Sequence, residues 1–373
     1  MIIYFISLLL LNYVLLNFNN TIAYKLNIFD SPDKLRKFHK EKTPITGGII
    51  IFINIFFFYL FNYFGFFDNM NLFNDKLELN VFIFSCFLIF LLGFVDDKIN
   101  ISANKKFLIL LIILIPTIVF QDFLVIENIK LSFSEKQFNI DGIGFFWSLL
   151  CLLLFINALN MFDGINLQVG IYSLIISIFF VFKNYYLVLF ITLIVSIIFF
   201  LILNSKNKSF LGDGGSYLLA YIFGYFFIKL YNESDLLNAD KIVLFMIIPG
   251  LDLMRLFTVR IIAGKNPFSS DRNHLHHLLL KKFSSLKTVI ATQALIILPL
   301  LLSFIYNEIA ILLLISLSCS AVLMRLFSRN CLPPVTLPAN VNPATTPSAA
   351  ASATPSIGSL SSAIFCTICS CID

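Results

Sequence analysis

Apolar residues in this chain fall in long unbroken runs divided by short charged stretches. Eleven runs can be drawn, over residues 1–18, 47–67, 79–95, 107–121, 143–160, 166–182, 185–203, 214–229, 242–260, 288–306 and 309–325. Runs of this kind match a hydrocarbon layer of roughly 30 Å at about 1.5 Å per residue. They predict an all-α polytopic membrane protein with about eleven transmembrane helices. The ninth run is the weakest: it holds Pro249, Gly250 and Asp252, so it reads as a broken helix or as one lining a polar cavity. The first run lacks a basic leader and a small-residue cleavage site, which makes it a retained helix rather than a signal peptide.

Composition agrees. The 373 residues are 59% hydrophobic and only 13% charged, with 44 phenylalanines and a mean hydropathy of +0.91. Too few charges are present to coat a soluble surface of this size. Alternating the runs across a membrane puts 20 of the 26 Lys and Arg residues on one side. The positive-inside rule makes that side cytoplasmic, with the N-terminus outside and the C-terminus inside. The net charge of +5 reflects this asymmetry and is no sign of nucleic-acid binding. Residues 330–373 have no Lys or Arg and hold six of the twelve prolines in Ala/Ser/Thr-rich text. They read as a disordered tail beyond a membrane domain of residues 1–329. Cys86, Cys151 and Cys319 sit in apolar runs as small packing residues, and the tail's CTICSC has no partner at a structural-zinc spacing.

Five polar stretches fall on the expected cytoplasmic side. The first, DSPDKLRKFHKEKTPITGG, carries Arg36, Lys37 and His39, which could grip a phosphate headgroup; an ordinary basic loop explains it about as well. The second, VDDKINISANKK, sets Asp96 beside Asp97 at the end of an apolar run, with Lys106 shortly after. Carboxylates cost about 2.5–3.5 kcal/mol each at a helix centre in lipid, and two adjacent ones need a cation. Mg²⁺ suits them, since it takes one or two carboxylates plus substrate phosphates. The third, NALNMFDGIN, spaces Asn157, Asn160 and Asp163 at i, i+3 and i+6, near one helix face. In the fourth, Asp213 precedes a Gly214-Gly-Ser helix start, whose backbone N–H groups make an anion site. The fifth, NPFSSDRNHLHHLLL, holds Arg272, His274, His276 and His277. A zinc site there lacks the usual i, i+4 histidine pair, so phosphate and sugar recognition is the better reading.

Together and in this order, the five stretches resemble the polyprenyl-phosphate N-acetylhexosamine-1-phosphate transferase family, from about Asp30 to His277. The resemblance implies an eleven-helix bundle in a bacterial cytoplasmic (inner) membrane, with its active site on the cytoplasmic face. It implies transfer of a sugar 1-phosphate, most simply GlcNAc 1-phosphate, from a UDP-N-acetylhexosamine to a polyprenyl phosphate lipid with release of UMP. Mg²⁺ is the implied cofactor, with Mn²⁺ as a substitute, and a homodimer is an allowed assembly. By the same resemblance, Asp96, Asp97 and Asp163 are the catalytic candidates, and Asp97, Asp213 and Asn157 the metal candidates. Arg36, Lys37, His39, Lys106, Asn160, Asn166, Gly214, Arg272, His274, His276 and His277 are the candidates for substrate binding. One departure stands out. Many relatives continue the third motif as DGxDG, whereas here Asn166 and Leu167 occupy the last two places, and Asn can ligate or hydrogen-bond but cannot act as a base.

Three rivals remain at this level, one of them an inactive relative, suggested by Asn166 and the unusual tail. A phospho-MurNAc-pentapeptide translocase would keep the chemistry and change the donor. A transporter would place ionisable groups near the bilayer midplane, often with internal repeats; here the carboxylates, except Asp252, gather at one face.

Overall fold

The computed structural model describes residues 1–30, 42–67, 73–234, 237–264 and 274–305. They lie within one compact unit, Met1–Asn330. The helices are α1 (Ile2–Leu26), α2 (Gly47–Tyr63), α3 (Lys76–Ile99), α4 (Ala103–Val119), α5 (Gly144–Phe162) and α6 (Gln168–Phe182), followed by α7 (Leu187–Asn204), α8 (Gly212–Glu233), α9 (Ala239–Ile262), α10 (Leu275–Leu280) and α11 (Ser285–Ile305). Ten of the expected apolar runs thus coincide with helices. The run at 309–325 and the tail lie outside the described residues, as do Arg36, Lys37, His39 and Arg272. Six helices, α1, α3, α5, α7, α9 and α11, are long and apolar enough to cross a membrane, and α2 and α6 are shorter apolar helices.

The chain is mostly helical but not wholly so. β1 (Phe29–Asp30) pairs antiparallel with β2 (Thr43–Pro44), and β3 (Asn128–Leu131) with β4 (Ser134–Asn139). Both pairs lie in connections, too short to leave a period-2 signature in the sequence. The second hairpin is tied down at its turn. Asp240, at the start of α9, accepts the Ser132 backbone N–H at 3.0 Å and the Ser132 hydroxyl.

The core is organised around α8. Every residue from Gly214 to Tyr231 is buried, so this helix is enclosed on all sides by α2, α3, α5 and α6. A helix apolar all round belongs in the middle of a bundle. α3 is its closest partner, and the reason is steric. A Cβ on Gly93 would stand 2.4 Å from the Gly214 backbone N, and one on Gly48 would stand 2.5 Å from Gly215 N. Only glycine at these places lets α2 and α3 come that close to α8.

At the far end of the α3–α8 pair lies a buried polar knot. Asp75 caps α3 by accepting the Glu78 N–H at 2.7 Å, and Glu78 Oε2 accepts the Asn74 N–H at 2.8 Å, a reciprocal capping arrangement. Glu78 Oε1 then pairs with Lys229 and accepts the Tyr225 hydroxyl at 3.2 Å. The Lys229 ammonium rests 4.8 Å from the Phe123 ring centroid, so a charge inside the bundle is fully partnered.

α9 resolves the ambiguity of its sequence. It runs unbroken through Pro249, and Asp252 points inward, buried at 4% exposure.

Candidate active site

Helix ends converge at one end of the bundle. A cleft of about 1100 Å³ is lined there by Asp97, Asp163, Asn166, Asn204, Lys206, Lys208, Gly212, Asp213 and His277, among others. These come from the C-terminus of α3, the α5–α6 turn, the α7–α8 connection, the start of α8, and α10. Asp30 and Thr43 of the β1–β2 pair complete the rim.

The α8 entrance is built by Asp97. Its Oδ1 accepts the Asp213 backbone N–H at 2.9 Å and its Oδ2 accepts the Gly214 N–H at 3.2 Å. A carboxylate from α3 thus caps the N-terminus of α8, where free N–H groups and the helix dipole favour negative charge. Gly212 makes the turn before it at φ +75°, and a Cβ there would sit 2.6 Å from Asp97 Oδ2. The Gly214 N–H, expected to face substrate phosphate, is therefore given to Asp97. The α2 entrance is pinned beside it by Gly47 N–H to Phe210 O at 2.9 Å and Gly48 N–H to Leu211 O at 3.0 Å.

Lys106, expected as a phosphate ligand, is engaged within the acidic group. It pairs with buried Asp96 and lies 3.5 Å from Asp213 Oδ2. Asp96 also accepts the Ile101 N–H at 2.7 Å through Oδ1, which closes the turn into α4. Asp96 is thus a buried anchor, while Asp97, Asp163 and Asp213 reach the cleft.

Asp163 ends α5. Burial, and then the neighbouring charge of Asp97, push its carboxyl up to about 7. Asn157 and Asn160 do not line the cleft. Asn157 Nδ2 donates to Leu153 O of its own helix at 2.7 Å, and Asn160 turns to the Tyr217 hydroxyl on α8. Of the three residues at i, i+3 and i+6, Asp163 reaches the cleft, Asn160 ties α5 to α8 and Asn157 bonds its own helix.

Asn166, at the place where the resembled motif continues with an acid, is a tether. Its Nδ2 donates to Asn204 O at 3.1 Å and to Asn207 Oδ1. Buried Asn204 is the hub: its Oδ1 accepts the Leu167 N–H at 2.7 Å, and its Nδ2 donates to Ser209 O at 2.8 Å. Thr46 continues the network by hydrogen bonding to Ser209 Oγ at 2.8 Å and to Asn19 of α1. The α5–α6 turn, with Leu167 at φ 72°, is thereby fastened to the α7–α8 connection.

The histidines form a cluster. His274 and His276 ring centroids lie 5.4 Å apart, and His276 and His277 lie 4.4 Å apart. Asp252 organises them: its Oδ2 bonds His274 Nδ1 at 3.0 Å, while its Oδ1 accepts the Leu275 N–H at 3.1 Å and Arg255 Nη2 at 2.8 Å. The His276 ring lies against the backbone of Gly164, where a Cβ would fall 1.8 Å from Nε2. Burial, with the charges of His277 and His274, holds its imidazole well below the usual range and so keeps it neutral. The residues that sequence reasoning did not place here are Asp252, Arg255, Asn204, Lys206 and Lys208. The oddity of an Asp inside an apolar run was the signal for Asp252; nothing marked Asn204.

Among the described residues no group of three or more His, Cys, Asp or Glu is arranged to hold a metal by itself. Mg²⁺ does not need one, because it keeps several waters and takes one or two carboxylates along with substrate phosphates. The donor set fits that habit. Asp97, Asp163 and Asp213 are hard oxygen ligands gathered on one cleft.

Fold and cleft together define a multi-pass membrane protein with an acidic, histidine-flanked site at one end of its bundle. Residues 79–231, from α3 through α8, match the family model described as Glycosyl transferase family 4. The undecaprenyl-phosphate alpha-N-acetylglucosaminyl 1-phosphate transferases of Salmonella typhi and Escherichia coli K12 are 25% and 26% identical over 74% of this chain and 75% of their own lengths. A probable undecaprenyl-phosphate N-acetylglucosaminyl 1-phosphate transferase of Bacillus subtilis is 28% identical over 69% of the chain and 71% of its own. The matched stretch carries Asp96, Asp97, Asp163 and Asp213, so the acidic part of the cleft lies within the region of similarity.

Proposed function

We propose that this protein transfers N-acetylglucosamine 1-phosphate from UDP-N-acetylglucosamine to undecaprenyl phosphate, the first step of a lipid-linked cell-envelope glycan. The observation that carries the reading is the meeting of Asp97, Asp163, Asp213 and His277 on one cleft at a bundle end. A lipid phosphate and a soluble nucleotide sugar can meet only at a membrane surface. The names of the similar proteins point to the same reaction.

In this reaction an oxygen of the lipid phosphate forms a bond to the sugar-bearing β-phosphorus. The bond from that phosphorus to the bridging oxygen breaks, and UMP leaves with the electron pair. Such transfer asks for positioning and charge neutralisation more than for covalent machinery. Asp213 and Asp97 would hold Mg²⁺, which when bound neutralises diphosphate oxygens. Asp163, titrating at about 7, is suited to take a proton from the attacking phosphate, since a base works best near the operating pH. His277 and Lys206, which also line the cleft, offer positive or hydrogen-bonding partners to the donor's phosphates. The excess of Lys and Arg on the loops at this end supports a cytoplasmic orientation in a bacterial inner membrane.

The test is UMP release by detergent-purified full-length protein given UDP-N-acetylglucosamine, undecaprenyl phosphate and Mg²⁺, beside Asp97→Asn. Release that requires lipid phosphate and metal and vanishes in the variant is the expected result. Turnover of UDP-MurNAc-pentapeptide alone would move the protein to the translocase reaction. Silence with both donors would refute the reading.

A further inference from the structure

The outer surface between α2 and α3 carries a groove of about 730 Å³, a size within the roughly 300–1,000 Å³ of ligand pockets. One wall is an aromatic ladder on α2. Phe52, Phe56, Tyr59 and Tyr63 follow one another at i, i+4, i+7 and i+11, and successive ring centroids lie 6.3, 5.8 and 5.6 Å apart. The other wall is a stripe on α3 that includes Asn80 and Phe84. Phe56 is 44% exposed and Phe84 60%, so the described residues leave these rings to the surrounding medium.

Polarity rises along the groove in one direction. Phenyl rings line its inner part. Toward the outer end, the Tyr59 hydroxyl donates to Asn80 Oδ1 at 3.1 Å, which orients the Asn80 amide and leaves its N–H groups to donate. One helical turn further, Lys76 holds its ammonium 5.3 Å from the Tyr63 ring centroid. No carboxylate among the described residues pairs with Lys76, because neighbouring Asp75 is turned to cap α3 and Glu78 is committed to Lys229. Hydrocarbon, then hydrogen-bonding groups, then a cation is the order of an anionic lipid read from chain to headgroup. Tyrosines and a snorkelling lysine are what a membrane interface favours.

The charged end of this groove is not the catalytic end. Lys76 precedes Asp97 on the same helix by 21 residues, or about 31 Å at the rise of an α-helix, close to the thickness of a hydrocarbon layer. A polyprenyl phosphate whose headgroup must reach Asp97 and Asp213 cannot also set it on Lys76. We infer that the α2–α3 groove binds an anionic phospholipid of the leaflet opposite the catalytic cleft. Its phosphate sits on Lys76, its ester carbonyls on the Asn80 amide, and an acyl chain against the α2 ladder.

The test uses full-length protein purified in a mild neutral detergent, with phosphatidylglycerol or phosphatidylcholine added, and reads lipid retention by native mass spectrometry and unfolding by thermal shift. Phosphatidylglycerol should be retained at least about fivefold better than phosphatidylcholine and raise the unfolding midpoint. Lys76→Gln should abolish that preference, and Lys76→Arg should keep it. UMP release should be the same in all three proteins at saturating undecaprenyl phosphate, which separates this site from the reaction. Equal retention of the two lipids, or an unchanged preference in Lys76→Gln, overturns the assignment. So does retention of undecaprenyl phosphate at Lys76 in place of phosphatidylglycerol.

Discussion

Gly93→Ala is a single added methyl group on which two physical effects disagree in sign. Helix propensity favours alanine over glycine by about 1 kcal/mol in a helix interior. The contact with α8 opposes it. The new Cβ would lie 2.4 Å from Gly214 N and 2.5 Å from the Asp213 carbonyl oxygen, all of it backbone that cannot turn aside. Reaching ordinary van der Waals contact requires α3 and α8 to part by about 1 Å. The bonds from Asp97 to the Asp213 and Gly214 N–H groups, at 2.9 and 3.2 Å, would then stretch beyond hydrogen-bonding range. Two bonds to a charged acceptor are worth about 1.5–3 kcal/mol each, and overpacking adds about 1–3 kcal/mol. Even after the propensity gain, the variant should lose about 3 kcal/mol or more. It should also lose most UMP release, because Asp97 and Asp213 separate together. Gly250→Ala is the control: it lies inside α9 with nothing within 4 Å of the added methyl, and propensity alone should leave it neutral or slightly stabilised. Thermal unfolding and UMP release measured on both proteins decide the matter. A Gly93→Ala protein as stable and active as Gly250→Ala would show that the close approach of α3 and α8 is not what sets the site.

Asp252→Asn removes the buried carboxylate that accepts from Arg255 and the Leu275 N–H and bonds His274. It should cost about 1.5–3 kcal/mol of stability and lower UMP release. In a His274→Ala background the further loss of activity should be small, and simple additivity in that double-mutant cycle would disprove action through His274. Asp163 makes stability depend on pH. Its folded-state value of about 7 stands above the unfolded value of about 3.9, so its contribution is complete at acid pH and is lost as pH rises through about 7. Metal-free Asp163→Asn should lack that fall, and parallel stability–pH curves for the two proteins would contradict it. Asn166→Asp restores the acid of the related motif but sets a carboxylate against Asn204 O, which cannot donate. It should lower stability by about 1 kcal/mol or more without raising turnover, and a more active, equally stable variant would refute the tethering role.

Residue order alone was enough for the membrane character, for ten of the helices, nine of them within a few residues and α1 eight residues short at its end, and for the acidic stretches as a group. These follow from local chemistry. Burying twenty apolar residues, or ending a run on two aspartates, has one economical solution wherever the rest of the chain goes. The identity of each partner was decided by packing. Asp96 and Asp97 are neighbours of the same type, yet one is a buried anchor for Lys106 and the other caps a helix 116 residues away in sequence. Gly214 was expected to face phosphate, and its N–H was taken by that cap. Asp252 looked like a flaw in its helix until α10 came to lie on it. Asn204 carried no mark at all, because a buried amide's value lies in what three other segments present to it. Spacing along one helix determines which residues share a face. Which of those faces meet, and whether a polar group on them is left for substrate or spent on a neighbour, depends on contacts between segments far apart in the chain, and those exist only once the bundle has closed.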